Sequence, residues 1–127
     1  MERRQVPANR PWATVVGYSR AVRIGNQIEV SGTASADRDG AILHPGDVYR
    51  QTKECLQIIR DALEGLGSSL SDVIRTRVFM CDIARWEEVG RAHGEVFSKT
   101  LPAATFIEVN GFIDPEILVE IEASAVT

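Results

Sequence analysis

A long amphipathic helix, predicted to begin after Asp47, constrains the fold of this chain most strongly. Apolar residues recur there at steps of three and four positions: Val48, Cys55, Leu56, Ile59, Leu63 and Leu66. Charged residues fill most of the other positions, so one face is apolar and the opposite face is solvated. Gly65 and Gly67 supply a stop. Such a helix must lay its apolar face on something flat.

Segments rich in β-forming residues surround that helix and predict a sheet. Residues 18–24 and 27–32 are separated by Gly25-Asn26, a pair that readily adopts the positive φ angles of a tight hairpin. The register of this hairpin stays open, because both of its faces carry apolar residues. Further strands are predicted at residues 73–81, 103–110 and 117–126, with a short edge strand as an option at 41–43.

The last of these strands has the clearest pattern. Apolar residues from Ile117 to Ala125 alternate with a second set that includes Glu120 and Glu122. Because successive side chains of a strand point to opposite faces, one face is predicted to be apolar and the other to carry two carboxylates.

A second amphipathic helix is predicted between residues 82 and 98. Asp82 is placed to cap it, and Pro102 lies beyond its end because proline cannot continue the helical hydrogen bonds. Its apolar stripe is Ile83, Trp86, Val89, His93 and Phe97, with Trp86 and Phe97 expected in the core. Residues 1–16 show little periodicity and are predicted to be irregular. The order of elements predicts one α+β domain over residues 1–127, a mixed sheet with two helices on one face.

The overall charge and the ends of the chain limit the classes of function. The formal net charge is -4, which argues against a surface built to bind nucleic-acid phosphates. The N-terminus carries charges without an apolar run after them, and no stretch reaches the roughly 18 apolar residues that cross a membrane. We therefore expect a cytoplasmic protein that does not bind membranes, with Cys55 and Cys81 reduced.

Five short blocks lie at informative separations along the chain. They are Gly17-Tyr18-Ser19, Val30-Ser31-Gly32, Pro45-Gly46-Asp47, Pro102-Ala103-Ala104-Thr105 and Val119-Glu120-Ile121-Glu122-Ala123. Together they resemble blocks of the Rid family, the YjgF-type reactive-intermediate deaminases, also described as endoribonuclease L-PSP-like. The resemblance implies a chorismate-mutase-like fold and a homotrimer whose sheets form a central barrel. It also implies small-molecule clefts at the subunit interfaces and no cofactor.

The resemblance also implies which residues line that cleft. The substrate-binding positions are Tyr18, Gly32 and Ala104, and the catalytic position is Glu120. Enamine- and imine-hydrolysing members carry an arginine where this chain has Ala104, and that arginine holds the substrate carboxylate. Two further positions differ from the family: Phe106, also a substrate-binding position, where cysteine is common, and Gly90, a possible site residue, where asparagine is common. A more apolar pocket with a less anionic ligand is therefore expected.

Alanine at position 104 removes a contact with the substrate carboxylate that an arginine would make. A guanidinium holds a carboxylate through two charge-assisted hydrogen bonds, which a methyl group cannot replace. Glu120 remains a candidate proton-transfer group if the cleft raises its pKa. Arg20 lies two residues after Tyr18, so a regular strand would point both side chains to one face. We favour a solvated surface arginine at this position, because exposed charge needs no special explanation.

Three functions remain open at this level. The first is an altered enamine or imine deaminase, or a related hydrolase, that acts poorly on carboxylate-bearing imino acids. The second is a protein that binds a small metabolite without converting it. The third is an RNA-binding translation inhibitor of the endoribonuclease type, for which Arg75, Arg77 and Arg85 offer only a local basic patch. No His or Cys lies at ligand spacing beside the glutamates, so a metal site is not expected.

Overall fold

Six strands and three α-helices form the structure, a computed structural model that describes residues 1–127. The strands are β1 (Arg3–Pro7), β2 (Ser19–Ile24), β3 (Gln27–Ala34), β4 (Val73–Met80), β5 (Ala103–Glu108) and β6 (Val119–Val126). The helices are α1 (Ala13–Val16), α2 (Val48–Gly65) and α3 (Trp86–Phe97), and two single 3-10 turns span Leu70–Asp72 and Ile83–Arg85. All strands belong to one sheet, in the order β1-β2-β3-β6-β4-β5.

The sheet is mixed, as the sequence predicted. Strand β4 runs parallel to β5 and antiparallel to β6, and all other pairs are antiparallel. The parallel pair is possible because α3 lies between β4 and β5 in the sequence and provides the crossover connection that parallel strands require. The α+β prediction with its two long helices on one face is confirmed.

The hairpin of β2 and β3 is also confirmed, and its register is now fixed. Ile24 pairs with Gln27, and Gly25 has a φ of +61°, the left-handed conformation that favours glycine at the turn. The optional short strand predicted for residues 41–43 does not form. Only one isolated β-bridge, between Ala36 and Ile42, is present there.

The irregular lead-in predicted for residues 1–16 is wrong. Residues Arg3 to Pro7 form an edge strand antiparallel to β2, and α1 follows it and ends at Gly17, whose φ is +78°. Most of β1 is solvent-exposed on both faces, so its sequence has no alternation to reveal it. Pairing with the backbone of β2, rather than burial of side chains, makes this segment a strand.

The core lies between α2 and the sheet. The side chains of Val119, Ile121, Ala123 and Ala125 on β6 are buried on the helix side, as the alternation predicted. Helix α2 packs across β3 and β6, and its buried residues include Leu56, Ile59 and Leu63. Asp47 caps its first turn by accepting a hydrogen bond from the Arg50 amide at 2.9 Å.

Helix α3 departs from its prediction at the first turn. Asp82 caps the 3-10 turn before the helix, where its carboxylate accepts a hydrogen bond from the Ala84 amide at 3.0 Å. Ile83 lies in that turn and Trp86 is the first residue of α3, and because helical side chains tilt toward the N-terminus, a side chain at this position extends past the buried stripe. Trp86 is 54% exposed, and its predicted place in the core is wrong. Phe97 is buried, as predicted.

The sheet face opposite the helices carries polar cross-strand pairs. The Ser124 hydroxyl donates a hydrogen bond to the Glu29 carboxylate at 2.6 Å, and Arg77 Nη1 lies 3.8 Å from Glu122 Oε1. Neither of the two long helices covers this face. No helix is sufficiently long and apolar to span a bilayer.

Candidate functional site

A cleft of about 450 Å³ opens beside the middle strands of the sheet. Tyr18 reaches it from the residue before β2, Gly32 from β3 and Glu120 from β6. These three strands are consecutive in the sheet, so residues far apart in the sequence become neighbours. The structure therefore brings together three of the four residues that the resemblance assigned to one cleft.

Strand β3 is irregular where it borders the cleft. Its pairing with β6 shifts register between Val30 and Thr33, which opposes Thr33 to Ile121 and Ala34 to Glu120. A bulge of this kind bends a strand and changes the direction of its side chains. Gly32 lies within this irregular stretch, and a Cβ atom placed on it would be 3.0 Å from Glu120 Oε1. The glycine thus leaves the space that the carboxylate occupies.

Glu120 has the electrostatic setting of a proton-transfer group. Burial raises the pKa of its carboxyl above the ordinary value, and Glu122 raises that pKa further. The charge of Arg20 acts in the opposite direction and is weaker than the effect of burial. A carboxyl with a raised pKa can give up and take back a proton nearer neutral pH than an exposed glutamate can.

Arg20 is not the solvated surface residue that we favoured from the sequence. It is only 5% exposed, and its Nη1 donates hydrogen bonds to the Gly32 carbonyl at 3.0 Å and the Thr33 hydroxyl at 3.2 Å. Its Cζ atom lies 5.7 Å from the centre of the Tyr18 ring. Strand β2 points Arg20 inward beside the cleft, where groups of β3 contact it. That contact between strands is not visible in the sequence around Arg20.

Ala104 and Phe106 lie elsewhere in this chain. Both are on β5, and β6 and β4 separate that strand from β3. At about 4.8 Å between neighbouring strands, β5 is roughly 14 Å from β3 across the sheet. Ala104 is exposed and pairs with Thr76, whereas Phe106 is half-buried against His93, with ring centres 5.6 Å apart.

Gly90 is also remote from the cleft. It lies on α3, and the nearest side-chain atoms to a Cβ placed there belong to Trp86, at 3.7 Å and 3.9 Å. Within one chain, Ala104, Phe106 and Gly90, which the resemblance had also assigned to the pocket, therefore lie in a different part of the molecule from Tyr18, Gly32 and Glu120.

Sequence reasoning missed several residues of the cleft. Arg10, Trp12 and Val16 reach it from the segment between β1 and β2, and Ile113 reaches it from the loop before β6. The available sequence signal for this part of the cleft was the presence of Arg10 and Trp12 in the short segment from Pro7 to Gly17. The segment is too short to show helical or strand periodicity, so the pattern of apolar residues did not indicate that these side chains line a cleft.

The remaining candidates have structural partners. His93 Nε2 lies 2.9 Å from the Thr76 hydroxyl, and burial lowers the pKa of the imidazole. The Cys55 thiol is fully buried, which raises its pKa far above the ordinary value. In the basic patch considered for RNA, Arg77 pairs with Glu122 and Arg85 pairs with Glu88. No group of three or more His, Cys, Asp or Glu side chains is placed to hold a metal ion.

Comparison with known proteins gives a consistent family. The family model described as Endoribonuclease L-PSP matches residues 8–127. An uncharacterized protein of Streptomyces coelicolor is 37% identical over 122 residues, which are 96% of this chain and 90% of that protein. The 3-aminoacrylate deaminase RutC of Acinetobacter baylyi is 32% identical over 108 residues, which are 85% of each chain.

The fold is shared with a solved structure of the same group. Rv2704 of Mycobacterium tuberculosis, a member of the YjgF/YER057c/UK114 family, is 40% identical and superposes with a TM-score of 0.89. The match covers 99% of this chain and 100% of that one. The Rid-type, chorismate-mutase-like fold expected from the short sequence blocks is thereby confirmed.

Proposed function

The chain belongs to the Endoribonuclease L-PSP family, which includes the YjgF or Rid proteins, and from this premise we propose that it hydrolyses the C=N bond of a reactive imine or enamine. The observation that carries the proposal is the placement of the Glu120 carboxyl, with its raised pKa, beside Tyr18 and Gly32 in one cleft. The relative named as a 3-aminoacrylate deaminase supports the same reaction class.

The reaction needs only water and a proton carrier. An enamine first takes a proton on carbon and becomes an iminium ion. Water then adds to the iminium carbon and gives up one proton, the nitrogen takes up one proton, and ammonia leaves as the remaining proton of the water is lost and the carbonyl forms. In the proposed mechanism Glu120 accepts the proton of the attacking water as a carboxylate and delivers a proton to the departing nitrogen as an acid. Partial burial suits both steps, because it brings the two protonation states closer in free energy.

The specificity is altered at position 104. An arginine there would hold the substrate carboxylate, and the alanine of this chain supplies no charge and no hydrogen bond. We therefore expect slow hydrolysis of compact imino acids such as 2-aminoacrylate, since these depend on that contact for orientation.

The proposal includes a homotrimer with clefts between subunits. Its support is the position of Ala104 and Phe106, three strands away from Gly32 in the same chain, so only a neighbouring subunit can bring them to the cleft. The sheet face that the helices leave open is available for such a contact. Sedimentation of the purified protein tests this part: we expect a trimer, and a monomer would remove the shared cleft.

The decisive experiment measures imine decay. An amino-acid oxidase generates imino acids larger than 2-aminoacrylate in solution, such as the imine of leucine, and their disappearance is timed with the wild-type protein and with Glu120→Gln. We expect catalysed decay that Glu120→Gln reduces by about a hundredfold or more. Equal rates for the two proteins would refute the role of Glu120. Thermal stabilisation by the substrate or product without any turnover would identify a binding protein instead.

A matched pair of variants tests the altered specificity. Ala104→Arg adds the guanidinium, and Ala103→Arg adds the same charge at the adjacent exposed position of β5. We expect Ala104→Arg to raise the rate on 2-aminoacrylate about tenfold to a hundredfold, the value of one or two charged hydrogen bonds, with no gain from Ala103→Arg. A wild-type rate on 2-aminoacrylate equal to that of arginine-containing relatives would contradict the proposal.

A further inference from the structure

Two arginines line the cleft without a carboxylate partner. None of the six ion pairs in the structure includes Arg10 or Arg20. Arg20 is nearly fully buried, and its Nε is the one buried side-chain nitrogen or oxygen atom that has no hydrogen-bond partner. A buried charged group with an unused donor is costly unless something pairs with it.

Arg10 comes to the same cleft from the loop between β1 and α1. The residue before it, Asn9, has a φ of +53°, and Arg10 Nη1 donates to the Asn9 carbonyl at 2.9 Å and the Ala8 carbonyl at 3.2 Å. These contacts hold the guanidinium in place but do not neutralise it. Burial lowers the pKa of Arg10, and the nearby positive charge of Arg20 lowers it further. An anion between the two side chains would relieve that repulsion.

The charges in the cleft favour a single negative charge. Glu122 already lies 3.8 Å from Arg77, and Glu120 offsets part of the charge of Arg20. Asp37 and Arg38 act on Arg10 with opposite charges, so the two guanidinium groups together with Glu120 leave room for one more negative charge. A phosphate dianion would bring an excess and would meet Glu120, so a carboxylate fits better.

The rest of the cleft wall is apolar. Trp12 is half-buried, and Val16 and Ile113, each 66% exposed, lie on its rim. Exposed apolar side chains grouped around a cleft are typical of a site that buries the apolar part of a ligand.

We propose that Arg10 and Arg20 form an anion subsite that binds the carboxylate of an organic acid with an apolar body. The subsite lies on the β2 side of the cleft and replaces the contact missing at Ala104. The positive charge therefore lies near β2 and not at position 104 on β5, and this different position favours a ligand longer than a compact imino acid. The identification of that acid as an imine substrate rests on the function proposed above, whereas the binding of the carboxylate does not.

The test uses 2-oxoisocaproate, a carboxylate with a branched apolar body, and its neutral methyl ester. Calorimetry on the wild-type protein should show binding of the acid at least about tenfold tighter than that of the ester. Arg10→Gln, which removes one charge and only local carbonyl contacts, should abolish this preference by weakening binding of the acid more than that of the ester. Arg4→Gln, an exposed arginine on β1 outside the cleft, is the matched control and should leave both affinities unchanged.

Two results would overturn the subsite: equal affinity for acid and ester in the wild type, or an unchanged preference in Arg10→Gln. Arg20→Lys adds a second test that keeps a charge in the core, and it should weaken binding of the acid because a lysine cannot donate through a guanidinium fork. Binding is measured here without turnover. An acid preference that depends on Arg10 in a protein without imine hydrolysis would uphold the subsite and refute the proposed reaction. Imine hydrolysis by a protein that shows no preference for the acid over the ester would refute the subsite and uphold the proposed reaction.

Discussion

Glu120 Oε1 lies 3.0 Å from the point where a Cβ atom on Gly32 would be built. The two residues are on neighbouring strands, β3 and β6, where the register of the pair shifts. The missing side chain at position 32 thus makes room for the carboxylate that we propose as the proton carrier.

Replacing Gly32 by Ala should displace the Glu120 side chain. The added methyl group meets a carboxylate oxygen at a distance tighter than ordinary van der Waals contact, and the flexible side chain must move. Because a displacement of about 1 Å in a catalytic group costs on the order of a hundredfold in rate, we expect a loss of that size in imine hydrolysis. Gly94→Ala, where no heavy atom lies within 4 Å of the new Cβ, is the control and should keep full activity.

The stability of the protein should depend on the ionisation of Glu120. The folded protein raises the pKa of this carboxyl above 4.5, so between 4.5 and the folded pKa the folded state binds more protons than the unfolded state. The free energy of unfolding is therefore expected to fall as the pH rises through that window. Glu120→Gln removes this dependence. Denaturant titrations of both proteins at about pH 4 and about pH 7 should show the variant gaining stability relative to wild type at the higher pH. A constant difference would contradict the prediction.

His93 should have the opposite effect. Burial lowers the pKa of its imidazole below 6.5, so the unfolded state binds more protons than the folded state just below that pH. The free energy of unfolding is expected to fall as the pH drops from 6.5 to the folded pKa. We expect His93→Gln to lose this acid sensitivity, measured by urea titrations at about pH 7.5 and about pH 5. Identical pH dependence of the two proteins would show that another group is responsible.

Replacing a buried isoleucine by alanine should lower the free energy of unfolding much more than replacing an exposed one. Ile59 on α2 is completely buried, and its replacement by Ala should cost about 2–5 kcal/mol of unfolding free energy through lost burial and a residual cavity. Ile74 on β4 is 54% exposed, and the same replacement there should change the unfolding free energy by about 0.5 kcal/mol or less. Urea titration at one pH checks both. A similar cost at the two positions would contradict the packing of α2 on the sheet.

The sequence alone determined the elements whose side chains are buried on one side. Helix α2, the β2–β3 hairpin and the alternation of β6 follow from local periodicity and turn chemistry, because burial imposes a repeat of 3.6 or 2 residues. The five short sequence blocks also indicated the family, by resemblance, and three residues of the cleft, Tyr18, Gly32 and Glu120. The edge strand β1 gave no such signal, since backbone pairing places it in the sheet while most of its side chains stay in solvent.

Only the tertiary structure decided the surroundings of the charged residues. Arg20 has the same local sequence whether it is solvated or buried, and its position depends on carbonyl and hydroxyl groups of β3 some twelve residues away. Arg10 enters the cleft because β1 pairs with β2 and turns the following loop toward it. The separation of Ala104 from Gly32 likewise follows from the strand order. Periodicity reports which side chains are buried along one element, whereas charge pairing and pocket composition depend on contacts between elements that the fold alone brings together.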